Sequence, residues 1–249
     1  MEEIGKLVLL AIVGFVAGFI NINAGGGSLL TLPFLIFLGL PPTVANGTNR
    51  IAILIQNIIA TAKFHQFKVI PQGIIFVAGI PAIIGSVLGA QIAVQINEDI
   101  FKKILALIMV LVMGWMFFGP RKEYVEKTLT FTNRKKGYLA VSFFAIGLYG
   151  GFIQGGIGFV LITVLTLSGY NLVQTNALKI LIVLMFTPFA LAVFVLNGQV
   201  DLLKGLILAA GNGAGGLLAT NLMVKRGEKY IRWIVMIAMV LFALKLFMS

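Results

Sequence analysis

Long apolar blocks, parted by short charged or turn-rich breaks, make up most of this chain. Cutting at the breaks gives segments at 7–22, 28–40, 46–64, 71–95 and 100–118, then 138–152, 158–168, 173–196, 202–224 and 230–247. Several are long enough to cross ~30 Å of hydrocarbon at ~1.5 Å per residue, which predicts an all-α polytopic membrane protein. Segments 28–40 and 158–168 are too short to cross alone, so each must start or stop inside the membrane. Both follow helix-breaking runs, Asn21-Ile22-Asn23-Ala24-Gly25-Gly26-Gly27-Ser28 and Gln154-Gly155-Gly156-Ile157-Gly158. Backbone of that kind survives at membrane depth only when buried in protein or lining a polar cavity.

The segments fall into five plus five. Between them lies GPRKEYVEKTLTFTNRKK, residues 119–136, the one extended hydrophilic stretch, which divides the chain into a first repeat at 1–118, a linker and a second repeat at 137–249. A shift of 130 places Gly25-Gly26 on Gly155-Gly156, Gly39 on Gly169 and Asn46 on Asn176; a shift of 126 places Gly79, Gly85 and Gly89 on Gly205, Gly211 and Gly215. Such self-similarity is the signature of transporter architecture built from internal repeats. If each half crosses an odd number of times, one face collects Lys63, Lys68, Arg121, Lys122, Lys127, Arg134, Lys135, Lys136, Lys225, Arg226, Lys229 and Arg232, and the other Lys6, Lys102, Lys103, Lys204 and Lys245. The excess puts the linker in the cytoplasm and the termini outside. An even count also leaves the linker cytoplasmic but brings the termini inside. The odd count is preferred because it makes the two repeats inverted, with broken or re-entrant glycine-rich helices and one central site open alternately to either face.

Composition narrows the chemistry. The mean hydropathy is +1.05, and 11% of residues are charged against about 25% in soluble domains. The 19 Lys and Arg against 8 Asp and Glu read as topology signals beside apolar spans, so no nucleic-acid partner is expected. Zero Cys and the single His65 argue against a metal site, a cofactor or thiol chemistry. An intramembrane enzyme would need a convergent nucleophile and base, which the sequence does not offer. A cation permease would call for acids or soft ligands along the path.

Removing loop charges leaves one cation in each half. Arg50 follows a charge-free run from Leu7 to Asn49, and Lys179 follows one from Gly137 to Leu178. All eight acids sit at segment ends or in loops, so the missing counter-charge points to an anionic substrate; the alternative is that both cations snorkel to headgroups. Asn46-Gly47-Thr48-Asn49 precedes Arg50, and Thr175-Asn176 precedes Lys179. Helices starting near Ser28 and Phe159 would present amides and positive dipole ends to an anion. Gly25, Gly26, Gly27, Gly155, Gly156 and Gly158 would allow close approach, with Asn21, Asn23, Asn46, Thr48, Asn49, Gln154, Thr175 and Asn176 as polar contacts. Gly85-x-x-x-Gly89 and Gly211-x-x-x-Gly215 are read as helix packing instead.

These residues resemble a known family. GFININAGGGSLLTLPFLIFLGLPPTVANGTNRIA at 18–52, GGFIQGGIGF at 150–159, TNALK at 175–179, LNGQVD at 196–201 and GNGAGGLLATNLMVKRG at 211–227 are similar to the signatures of the TauE/SafE sulfite exporters. The second repeat reads Gly-Gly-Ile-Gly in place of three glycines, and Ile182 and Val183 stand where an Asn is often found a turn after the lysine. The resemblance implies a multi-pass permease of a prokaryotic cytoplasmic membrane, exporting a small sulfur oxyanion or organosulfonate such as sulfite. Its partners would be that anion and the lipid bilayer, with a homo-oligomer left open. A passive anion channel, or a permease for another small carboxylate or metabolite, stays as the alternative.

Overall fold

A computed structural model describes residues 2–118 and 133–247; the greater part of the 119–136 linker lies outside them. Nine helices make up the described residues: α1 (Glu2–Ala24), α2 (Ser28–Phe37), α3 (Pro42–Gln66), α4 (Ile75–Gln95), α5 (Glu98–Phe118), α6 (Asn133–Phe152), α7 (Ile157–Leu167), α8 (Leu172–Leu196) and α9 (Leu202–Phe247). By length and composition, Glu3–Ala24, Ile75–Gln95, Leu172–Leu196 and Leu202–Arg226 can each cross a membrane. The two short segments are helices of 10 and 11 residues, about 15–17 Å long, which leaves both well short of a span.

Two expected boundaries differ. Segments 202–224 and 230–247 are joined in one 46-residue helix, because the Lys225-Arg226-Gly227-Glu228-Lys229 stretch between them has one glycine and no proline to end it. Helix α6 begins at Asn133, so the last residues of the expected linker are helical.

Small residues set how the helices meet. Added Cβ atoms at Gly211 and Gly215 of α9 would strike the backbone of Ala11 and Phe15 on α1, and Gly14 and Gly18 of α1 lie against Leu208 and Asn212. Gly85 and Gly89 of α4 press in the same way on Phe144 and Leu148 of α6, while Gly147 and Gly151 press back on Ala82 and Ser86. Both expected Gly-x-x-x-Gly pairs are therefore packing faces. Residue numbers rise together across each contact, so α1 runs parallel to α9 and α4 parallel to α6.

Gly205, Gly213 and Gly216 of α9 meet Ile51, Ile59 and Gln56 of α3, again in parallel. Gly79 of α4 lies against Met185 of α8, Ser86 donates to the Phe186 carbonyl, and the Val94 carbonyl accepts from Gln199 just past α8, so α4 and α8 also run in the same sense. At the centre α3 and α8 cross in opposite directions, with Gly47 beside Phe194 and Asn57 near Lys179 and Val183. The outcome is two antiparallel sets: α1, α3 and α9 point one way, and α4, α6 and α8 the other. In each half the first helix packs on a late helix of the other half.

On α4 the large side chains face outward. The exposed residues Phe76, Ile80, Ile84, Leu88 and Ile92 recur every fourth position, whereas Ala78, Ala82, Gly85, Ser86, Gly89 and Ala93 are buried. Small inside and large apolar outside is the arrangement hydrocarbon favours, since lipid tails give apolar side chains no reason to hide.

Between the short helices and the spans that follow them, the chain turns the same way twice. Gly39 and Gly169 both have positive φ, and the amides of Leu40 and Tyr170 reach back to the carbonyls of Leu35 and Leu165. Each pair is 130 residues apart, and each turn satisfies carbonyls that a helix end would leave bare. At the N-terminus of α3 the Thr43 hydroxyl donates to the Glu98 carboxylate at the start of α5, and α8 carries a capping box from Asn171 and Gln174.

Gly89→Leu and Gly215→Leu are each expected to destabilise the detergent-solubilised protein by about 1–3 kcal/mol or more, because the added bulk meets backbone that cannot give way. Gly5→Ala, with nothing near its Cβ position, should leave thermal unfolding unchanged. Equal melting of all three variants would mean that the glycine faces are not tight contacts.

Candidate functional site

The hairpin α1–α2 and the hairpin α6–α7 meet tip to tip inside the protein. A Cβ built on Gly25 would lie 2.6 Å from the Gly158 backbone, and one on Gly26 would lie 2.7 Å from the Phe159 ring. Gly27 presses on the carbonyl of Ala17 within its own hairpin, while Gly155 is looser, 3.3 Å from the Leu32 side chain. Helices α2 and α7 start at these tips, after Gly27 and Gly156, with no side chain capping either N-terminus. Two positive dipole ends thus converge where the halves touch.

Both embedded cations reach across to the opposite hairpin. Arg50, fully buried on α3, donates from Nη1 to the carbonyl of Gly150 at 3.0 Å and from Nη2 to that of Gly151 at 2.6 Å, at the C-terminal end of α6. Its guanidinium also lies 4.7 Å over the Phe194 ring. Lys179, 1% exposed on α8, donates from Nζ to the carbonyls of Asn21 and Ile22, each at 2.9 Å, and to Asn176 Oδ1 at 2.7 Å. The first two acceptors end α1. A helix C-terminus carries roughly half a negative charge and up to four unpaired carbonyls, so each cation finds a partial counter-charge in the protein. These partners are backbone carbonyls and an amide, not the carboxylates that a sequence would display. Snorkelling is ruled out by the burial and by these bonds.

A small cavity sits beside Lys179, lined by Asn21, Ser28, Asn57, Gln154 and Gly158 together with the apolar Ile53, Ile157, Ile180 and Val183. It therefore touches both hairpins and both central helices. Among the described residues no cluster of three His, Cys, Asp or Glu could hold a metal ion.

The profile of the family described as "Sulfite exporter TauE/SafE" matches residues 10–246. The chain belongs to this family. A "Probable membrane transporter protein" of Haemophilus influenzae is 30% identical over 235 residues, covering 94% of this chain and 91% of that protein. "Probable membrane transporter protein YfcA" of Escherichia coli K12 is 27% identical over 241 residues, covering 96% and 89%, and "Probable membrane transporter protein ORF9" of Sinorhizobium is 26% identical over 249 residues, covering 96% and 92%. No solved structure matches. The protein is thus a multi-pass membrane transporter of the TauE/SafE family.

Within this TauE/SafE transporter the residues singled out from sequence separate into two groups. Asn21, Ser28, Gln154, Gly158 and Lys179 line the cavity; Arg50, Asn23, Asn46, Thr48, Asn49, Thr175, Asn176 and the hairpin-tip glycines Gly25, Gly26, Gly27, Gly155 and Gly156 do not. Most of the second group hold the frame. Asn46 donates to the Phe152 carbonyl at 2.8 Å, Asn49 donates to Ser28 Oγ at 3.1 Å and accepts from Thr31, and Thr48 accepts the Asp201 amide at 2.9 Å. Thr175 donates to the Tyr170 carbonyl, and Asn23 to that of Phe19. In the α8–α9 loop, burial pushes the Asp201 carboxyl up, but hydrogen bonds and charge from Lys204 outweigh this and hold it below the usual range.

One polar lining residue, Asn57, is not among the candidates named from sequence. Asn57 is 1% exposed, and neither atom of its amide has a partner among the described residues. Its signal was the Gln56-Asn57 amide pair in mid-span, where an uncharged polar side chain needs a reason as much as a charge does.

Arg50→Met should destabilise the protein by about 2–4 kcal/mol, because it strips the donors from two buried carbonyls at the end of α6. Arg50→Lys should recover part of the loss. A melting temperature unchanged in Arg50→Met would show that those carbonyls do not depend on the guanidinium.

Proposed function

We propose that this protein is a carrier with two inverted repeats that moves a small anion, a sulfur oxyanion or organosulfonate, outward across a prokaryotic cytoplasmic membrane. The observation that carries this reading is the convergence on one cavity of a buried ammonium, the N-terminal ends of two half-helices and the neutral amides of Asn21, Asn57 and Gln154. Helix N-termini and a nearby fixed charge are suited to an anion, and no carboxylate lines the same space to repel it.

The inverted arrangement draws support from the opposite directions of α1 and α6 and from the paired turns at Gly39 and Gly169. It also has each hairpin tip held by a cation from the other half. On this reading, Lys63 and Lys68 at the end of α3 share a face with Arg134 and Lys135 at the start of α6, whereas Lys102 and Lys204 fall on the other. The positive-inside rule makes the first face cytoplasmic.

Glu3→Cys and Lys136→Cys test the topology without background, as the chain has no cysteine. The two thiols should label from opposite faces; labelling of both from one face would refute the odd crossing count.

Transport is tested in proteoliposomes loaded with sulfite or a hydroxyalkanesulfonate. Flux should saturate and show counterflow, and an inside-negative potential should accelerate anion efflux, since moving one charge is worth ~2.3 kcal/mol per 100 mV. Flux that neither saturates nor exchanges would make the protein a channel. A panel of sulfur oxyanions and carboxylates that all fail to move would end the anion reading.

A further inference from the structure

The cavity holds an unmatched acceptor as well as positive ends. Gln154 is 2% exposed and lines the cavity. Its Nε2 donates to Thr187 Oγ1 at 3.0 Å, and Thr187 in turn donates its one hydroxyl proton to the Val183 carbonyl at 2.6 Å. A carbonyl can only accept, so the Thr187 proton is committed and Thr187 can only accept from Gln154. This fixes the orientation of the Gln154 amide, which often stays ambiguous. Gln154 Oε1 is left without a partner among the described residues, as are both polar atoms of Asn57 across the cavity.

Buried acceptors of this kind are costly unless something donates to them. The apolar lining of Ile53, Ile157, Ile180 and Val183 provides no donor, and neither the Asn57 amide nor the Ser28 hydroxyl is in hydrogen-bond contact with Gln154 Oε1. Lys179 cannot serve either, because its three N–H bonds are directed to Asn21, Ile22 and Asn176. The unmet need is for an O–H or N–H arriving with the ligand.

We infer that the transported species is a small monoanion that carries its own hydrogen-bond donor, with its charged oxygens at the Ser28 and Gly158 helix ends and its O–H or N–H on Gln154 Oε1. Protonated oxyanions and hydroxy- or amino-substituted sulfonates belong to this class; fully deprotonated dianions and plain alkanesulfonates do not. A single ammonium at the cavity agrees with one negative charge rather than two. Arg50, whose guanidinium is turned to Gly150 and Gly151, adds no second charge to the lining. This inference rests on the anion reading of the cavity and adds to it a requirement at the other end of the ligand.

The test compares two probes that differ by one hydroxyl, ethanesulfonate and 2-hydroxyethanesulfonate, titrated calorimetrically into the full-length chain in detergent. The hydroxylated probe should bind about tenfold tighter or more, the ratio expected when a site built to accept a donor meets a ligand that lacks one. In Gln154→Met, which keeps the length of the side chain and removes the acceptor, the ratio should fall to within about twofold through weaker binding of the hydroxylated probe. Should that variant fail to fold, the wild-type ratio decides alone. Equal affinities in the wild-type protein would overturn the inference and leave the anion site standing, since a water molecule would then serve Gln154. A ratio that persists in Gln154→Met would also overturn it, by removing Gln154 from recognition. Binding of neither probe would overturn the anion reading itself.

Discussion

A helix that ends inside a membrane leaves carbonyls with neither a backbone partner nor water, and this constraint governs the centre of the molecule. Here α1 and α6 both end at hairpin tips within the protein, and each is closed by a cation from a distant helix: Lys179 of α8 on α1, Arg50 of α3 on α6. A charge and a set of bare carbonyls would each be costly if buried alone; together they satisfy one another. The bonds join residues 100 to 158 positions apart, so neither tip can form until the other half is in place. Capping thus ties the halves together as well as finishing two helices.

Packing completes what the caps begin. Within hydrocarbon there is no hydrophobic drive to bring helices together, so close backbone contact and polar bonds must do it. Glycines and alanines bring α1 against α9 and α4 against α6, close enough for backbone to touch backbone. Large side chains such as Phe76, Ile80 and Ile84 are left on the outside. The same logic explains Gly25 and Gly158: their small size lets two hairpin tips cross, and the helix ends then reach a common space.

Much of this architecture was legible in the chain. Segment length gave the two half-helices, the glycine runs gave their starting points, and the isolation of Arg50 and Lys179 among apolar residues marked both as buried. Their partners were not legible, because backbone carbonyls have no letter in a sequence; only a fold says which helix ends lie opposite which side chain. The division between Lys179 at the cavity and Arg50 away from it was hidden for the same reason, since both occupy the second or third turn of a helix and differ only in what faces them. Asn57 carries no charge to mark it, and in the sequence Gln56 and Asn57 look like ordinary polar interruptions of a span. The break expected near Gly227 is absent, as one glycine among good helix formers does not end a helix by itself.

The cap on α1 has a consequence for any anion that enters the cavity. Lys179 presents its charge there, but its three N–H bonds already have acceptors, so a ligand can take one only by displacing Asn21, Ile22 or Asn176. The Asn21 carbonyl also accepts from the Gly25 amide, but displacing Ile22 would uncover a carbonyl at the end of α1 and loosen the hairpin whose second helix begins at the cavity. On the proposed function, ligand affinity and hairpin order are linked through one nitrogen atom. A ligand shifts a conformational equilibrium only as far as it binds the two states differently. An ammonium that must choose between an anion and a helix end provides such a difference, whereas a free surface lysine would bind the anion without moving anything. Arg50 has the same relation to α6 but faces away from the cavity, held over Phe194. The two caps are thus alike in construction and unlike in exposure to the ligand, so the strain of binding falls on the α1–α2 hairpin first.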